Sequence, residues 1–128
     1  MKDLGQLTRA EEQLMQILWS LGEGTVQGIR ERFAEPRPAR TTVATVLTVL
    51  ENKQFVLHRS EGRVNVYYPA VAKERYSRSQ LSGMMKKYFD NSFSSMALFL
   101  ARENSMTIEQ LDAMLEETRR GLEEEFKN

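Results

Sequence analysis

Thr41, Thr42, Thr45 and Thr48 stand close together in the run TTVATVLTVL. Each carries a hydroxyl that donates and accepts hydrogen bonds, with a methyl beside it. In a DNA groove a hydroxyl can meet a base edge or a phosphate, and a methyl can touch the thymine methyl. Basic residues flank the run: Arg40 before it, Lys53 after it, then Arg59 and Arg63. Cations there are placed to grip phosphates. Other chemistry-bearing types are sparse. His58 is the only histidine and there is no cysteine. Zinc sites use three or four ligands, so no metal site is expected and His58 reads as structural or exposed. Glu11-Glu12, Glu116-Glu117 and Glu123-Glu124-Glu125 pair carboxylates in sequence. Adjacent helical residues do not face each other, so these read as solvated faces. Gly22 and Gly24 form no phosphate-cradling loop, and seven methionines at helical spacing read as core. No catalytic residue and no cofactor is expected; the chain does not read as an enzyme.

The threonine run has the length of a helix, from about Arg40 to Lys53. Yet Thr41, Thr42, Val43, Thr45, Val46, Thr48 and Val49 are β-branched, and such residues are not favoured in helix interiors. Wound at about 100° per residue, Val43, Val46, Leu47 and Leu50 share one arc, which predicts the core side. Thr41, Thr45 and Thr48 cluster opposite, flanked by Thr42, Ala44 and Val49. An ordinary solvent face would carry Glu, Lys and Gln, which are better helix formers. A small, neutral, hydroxyl-bearing face suits entry into a major groove about 12 Å wide. Packing of that face against another protein element is the competing reading.

The elements that position this helix follow from caps and periodicity. Thr8-Arg9-Ala10-Glu11 is a capping box, and Leu14, Met15, Leu18 and Leu21 then recur at helical spacing. Gly22-Glu23-Gly24 stops that helix, and Thr25 caps a second in which Val26, Ile29, Arg30 and Phe33 keep the period. Pro36 and Pro38 break the chain before the threonine helix. Residues 55–59 and 64–68 read as strands joined through Ser60-Glu61-Gly62-Arg63, a β-hairpin. Three further helices are predicted: Lys73 to Phe89, Asn91 to Arg102, and a last one opened by the capping box Thr107-Ile108-Glu109-Gln110. Three helices followed by a hairpin is the winged helix-turn-helix order, in which the third helix enters the major groove.

Bulk numbers exclude little. The chain has 128 residues, 41% hydrophobic and 28% charged, with zero formal net charge. Charge is uneven: residues 36–63 hold five basic and two acidic residues, and residues 103–128 hold three basic and eight acidic. The N-terminal MKDLGQLTRAEEQ lacks the apolar core of a secretion signal. Met96 to Ala101, the longest apolar cluster, is too short to span a bilayer. A cytoplasmic protein without membrane insertion is expected.

With these features in place, the sequence resembles the penicillinase-repressor family of bacterial winged-helix regulators over nearly its whole length. LTRAEEQLMQILWSLGEGTVQGIRERF resembles the family's first two helices, including Glu11, Leu18-Trp19 and the Gly22 break. TTVATVLTVLENKQFVLHRSEGRVNVYYPAV resembles its recognition helix and wing, and FLARENSMTIEQLDAMLEE its C-terminal dimerisation helices. The resemblance implies a homodimeric repressor on a pseudo-palindromic operator. It also implies release through cleavage of the dimerisation region by a membrane sensor with a protease domain. The matching segment here is Phe99-Leu100, where the family's best-known members carry Asn-Phe. The copper-responsive branch uses C-terminal cysteines, which this chain lacks, so copper sensing is not implied. Ala44 and Val49 stand where the family commonly has basic residues, so a different operator is implied.

Physics supports the dimer separately. Met96 to Leu100 is apolar all round when helical, and such a helix must be buried on all sides. The predicted interface is Phe93, Met96, Leu98, Phe99, Leu100, Leu111 and Leu115, covered by a second copy through two-fold symmetry; burial against the chain's own N-terminal part is the competing reading. The whole is a mainly α chain: a winged-helix DNA-binding domain over residues 1–71 and a helical dimerisation domain over 72–128. Arg40, Lys53, Arg59 and Arg63 are expected on phosphates, and Thr41, Thr42, Thr45 and Thr48 on the bases. The alternative is a winged-helix protein-interaction module without DNA binding, which zero net charge leaves open.

Overall fold

Thr8 caps helix α1 (Arg9–Leu21). Its Oγ1 accepts from the Glu11 amide at 3.2 Å, and Glu11 Oε1 accepts from the Thr8 amide at 3.0 Å, closing the expected capping box. Gly22 ends the helix with φ of 84°, its amide donating to Leu18 O at 2.8 Å. Glycine reaches that region without a Cβ clash. This is a computed structural model describing residues 4–127; Met1 to Asp3 and Asn128, the outer ends of the expected domain ranges, lie outside the described residues.

Helix α2 (Val26–Arg30) is capped by Thr25 and is shorter than its apolar period predicts. The amides of Arg32 and Phe33 donate to Ile29 O and Arg30 O at 3.1 Å, a three-residue spacing that tightens and ends the helix. Arg30 Nε donates to Pro38 O at 2.8 Å and so holds the turn into α3 (Arg40–Asn52). Strands β1 (Val56–Glu61) and β2 (Val64–Pro69) pair antiparallel, with Arg59 opposite Val66 and Glu61 opposite Val64. β1 reaches past the expected 59, so the loop is only Gly62-Arg63. Gly62 has φ of 63° and Arg63 does not share it, the pattern of a type II′ hairpin turn. Gly24 adds a third edge: its N–H and C=O bond Tyr67 at 2.9 and 2.8 Å, tying the α1–α2 loop to β2.

The core lies where these elements meet. Leu14, Met15 and Leu18 of α1, Ile29 of α2, and Val43, Leu47 and Leu50 of α3 are fully buried with Val56. Trp19 is half-buried; its Nε1 donates to Val71 O at 2.8 Å and its ring lies 5.8 Å from Tyr76.

Helices α4 (Lys73–Phe89), α5 (Phe93–Glu103) and α6 (Ile108–Phe126) complete the chain. Asp90 and Asn91, at φ of 50° and 60°, break α4 from α5, and Ser92 caps α5 by accepting from the Ser95 amide at 3.1 Å. The chain divides into two compact units, residues 1–81 and 82–128, where the sequence placed the boundary at 71/72. Tyr76 and Ser79 explain the ten residues of difference. Both are buried: Tyr76 packs against Trp19 and Phe55, and Ser79 Oγ accepts from the Leu4 amide at 3.1 Å. In the second unit Met85 is buried and the Phe89 and Phe99 rings lie 5.6 Å apart.

Candidate nucleic-acid interface

α3 divides by side as its sequence predicts. Val43, Leu47 and Leu50 face the core, Val46 is half-buried, and Thr41, Thr42, Thr45 and Thr48 lie on the opposite, more exposed side. Thr45 Oγ1 donates to Thr41 O at 2.9 Å, and Thr48 Oγ1 donates to Ala44 O at 3.1 Å. Each hydroxyl has one proton to give, and here it goes back to the helix. What remains outward is acceptor oxygen and methyl. That combination fits amino donors on base edges, adenine N6 or cytosine N4, and the thymine methyl.

The start of α3 is uncapped. Ala39 holds the N-cap position with no side-chain bond, and no acidic residue stands in the first turn. Free amides there favour an anion, and Arg40 stands exposed beside them. Arg63 sits at the tip of the hairpin, in its two-residue turn. Among the described residues, neither Arg40 nor Arg63 has a carboxylate partner.

The other two expected cations are engaged. Lys53 Nζ lies 2.7 Å from Glu11 Oε1, the same oxygen that closes the capping box. The Glu11 side chain is only 8% exposed. Burial opposes its ionisation, but the Lys53 ammonium and the Thr8 bonds outweigh that and hold its carboxyl below the usual value. Arg59 sits on strand β1 and not at the turn. Its NH1 and NH2 donate to the two oxygens of Glu23 at 3.1 and 2.8 Å, and Nε donates to Glu61 at 3.1 Å. The bonds to Glu23, then to Glu61, push the guanidinium further toward its charged form, and the Arg59 bond lowers Glu23 in turn. His58 Nδ1 lies 2.6 Å from Glu51 Oε2, linking β1 to α3, and its ring is 5.3 Å from Tyr67. Glu23 and Glu51 were missed as site residues because nothing in their spacing marks their partners.

The second unit offers a different surface. No residue of α5 or α6 is buried. Phe93 is 72% exposed and Leu115 60%; Leu98, Phe99 and Leu100 are each about half exposed, while Met96 and Leu111 are half-buried. Among the described residues no helix is long and apolar enough to cross a membrane, and no group of three ligand-type side chains is placed to hold a metal ion.

Comparison with known proteins fits this geometry. The penicillinase repressor of Bacillus licheniformis is 25% identical over 129 residues, spanning 100% of this chain and 97% of that protein. The solution structure of the DNA-binding domain of the repressor BlaI matches with a TM-score of 0.50 at 27% identity, covering 59% of this chain and 94% of that one. The CopR repressor structure is 35% identical, with a TM-score of 0.44 over 51% of this chain and 96% of that one. The family described as Penicillinase repressor matches residues 7–120. A half-polar third helix, a hairpin wing and a match over nearly the whole length place this chain in the penicillinase repressor family, a family of winged-helix DNA-binding transcriptional repressors and not of enzymes.

Proposed function

We propose that this chain is a cytoplasmic repressor that binds a pseudo-palindromic DNA operator as a homodimer. The observation that carries this reading is the outward face of α3: four threonines, an uncapped N-terminus and an Arg40 without a carboxylate partner among the described residues. α3 enters the major groove and the hairpin lies beside it, with Arg63 at its tip. Thr41, Thr42, Thr45 and Thr48 read base edges, and indirect readout of DNA shape adds to them. Residues 1–71 serve as the DNA-binding part and residues 72–128 as the dimerisation part. Support for the dimer is the apolar surface of α5 and α6, on which no residue is fully buried and Phe93, Leu98, Phe99, Leu100 and Leu115 stay about half exposed or more. A second copy covers such a surface through a two-fold interface, and two half-sites then lie one helical turn or a multiple of it apart.

Selection from random duplex DNA, followed by a salt titration on the winners, tests the reading. Enrichment of an inverted repeat bound by two chains is the expected result. No enrichment, with binding lost at physiological salt, would move the reading to a protein-interaction module. Release through cleavage at Phe99-Leu100 by a membrane sensor's protease domain rests on the family resemblance and on the exposure of both residues. Mass spectrometry after co-expression with such a sensor tests it; an intact chain after induction refutes it.

A further inference from the structure

Lys53 and Arg59 are both held by carboxylates that bracket one helix. Glu11 lies in the first turn of α1 and takes Lys53, at the C-cap of α3. Glu23 lies one residue beyond the Gly22 C-cap of α1 and takes Arg59, on β1. We propose that α1 is the strut that sets the recognition helix relative to the wing, with Lys53 and Arg59 as positioning residues and not phosphate contacts. This rests on the DNA-binding reading above.

Both anchor points on α1 are themselves fixed. Glu11 is buried and its carboxylate is oriented by the Thr8 amide. Glu23 precedes Gly24, whose backbone is clamped to Tyr67 by two hydrogen bonds at 2.9 and 2.8 Å. Between Glu11 and the C-cap runs continuous helix, about 1.5 Å of rise per residue and stiff over that length. At the wing end the bond is a two-pronged fork. NH1 and NH2 of Arg59 meet both oxygens of Glu23, and Nε meets Glu61. A fork fixes orientation as well as distance. Because Tyr67 pairs with His58 on one side and Gly24 on the other, Arg59 reaches across β2 to make this bond. A third tie, Glu51 to His58 at 2.6 Å, joins α3 to the wing directly. The three elements are thus closed into a triangle by two ion pairs and the Glu51–His58 hydrogen bond, while Arg40 and Arg63 are left for phosphates. The exposed Arg59–Glu23 pair adds little to global stability, so geometry is the role left to it; the Lys53–Glu11 pair, with Glu11 buried, serves both stability and geometry.

A charge swap tests the proposal in the full-length protein, on the duplex won by selection and on a scrambled duplex. Arg59→Glu breaks the fork and is expected to weaken binding to the selected duplex by about tenfold or more. The double variant Glu23→Arg with Arg59→Glu keeps the net charge and restores a pair. It is expected within about threefold of the parent, with the parent's salt slope and its preference over the scrambled duplex. If Arg59 sits on a phosphate, the double variant stays as weak as Arg59→Glu, and its slope is shallower by about 0.9 for each phosphate no longer neutralised. That result overturns the proposal and leaves the DNA-binding reading standing. Lys53 gives a second arm that does not depend on how the swap folds. Lys53→Met is expected to lower preference for the selected duplex at an unchanged salt slope, with Lys53→Arg restoring it. A slope shallower by about 1.8 in Lys53→Met, about 0.9 for each of the two copies, also overturns the proposal. If the parent shows no preferred duplex at all, the DNA-binding reading itself falls and the strut with it.

Discussion

Glu11→Gln separates the two duties of one buried carboxylate. Glutamine keeps an oxygen that can accept from the Thr8 amide, so the capping box survives. It removes the charge that holds Lys53 at 2.7 Å. A hydrogen bond to a charged group is worth about 1.5–3 kcal/mol. Lys53 is 40% exposed, so solvent screening brings the expected loss down to about 1–1.5 kcal/mol. For a cooperative unit of this size that is about 4–12 °C in thermal midpoint. Glu11→Ala also leaves the Thr8 amide without its acceptor, while Thr8 Oγ1 still caps the amide of residue 11, and should cost about 1 kcal/mol more. The pH dependence has a definite sign. The folded-state pKa of Glu11 lies below the ordinary glutamate value of 4.5. Its contribution is therefore complete above about that value and is lost as pH falls through the folded pKa. Circular dichroism melts of the parent and Glu11→Gln from pH 7 to pH 3 measure this. The gap between them should be constant from pH 7 to about 5 and close toward pH 3. Equal midpoints at pH 7, or a gap that persists undiminished in acid, would refute the reasoning.

Thr45→Val keeps the methyl and shape but removes the acceptor oxygen, so affinity for the selected duplex should drop by about fivefold, one neutral hydrogen bond. Single-base substitutions should place that loss at one amino-bearing base, and an equal loss on every duplex would contradict it. Gly62→Ala puts a Cβ at φ of 63° where nothing lies within 4 Å, so strain alone acts. A loss of about 1 kcal/mol in stability is expected, with weaker DNA binding because the turn carries Arg63; a melt unchanged from the parent would contradict it.

Local signals were legible in this sequence and distant pairings were not. Thr8 with Glu11, the period of α1 and the two-sided winding of α3 are decided within a few residues, and the structure follows them. α2 ended early because the bonds of residues 32 and 33 tighten, which its apolar period does not encode. The charged residues show the limit most clearly. Lys53 and Arg59 look free in the sequence, because Glu11 lies 42 residues away and Glu23 lies 36. Only the fold brings α1 to both. The compact unit runs to residue 81, past the expected 71/72 boundary, for a similar reason: Tyr76 and Ser79 lie on a helix that looks continuous in sequence, yet Tyr76 packs on Trp19 and Ser79 bonds Leu4, both more than 50 positions earlier. The apolar stretch in α5 was readable from composition, and its exposure in one copy is what the dimer proposal uses.

That only Arg40 and Arg63 of the four expected phosphate contacts lack a carboxylate partner among the described residues ties the two proposals together. If Arg40 and Arg63 alone neutralise phosphates, one copy releases about two counterions, a salt slope near 1.8. Two copies give about 3.6, or roughly a hundredfold loss of affinity between 50 and 200 mM salt. A single half-site would then hold weakly at physiological salt, and acceptor oxygens on Thr45 and Thr48 would add discrimination without adding much affinity. Specific occupancy would depend on dimerisation through the exposed faces of α5 and α6, so a change that splits the dimer should act almost as an inducer. This also explains why threonine is tolerated in α3. Its hydroxyl proton satisfies the helix, its methyl keeps the face narrow, and it leaves the strength of binding to be set by the second copy instead of by charge on the helix itself.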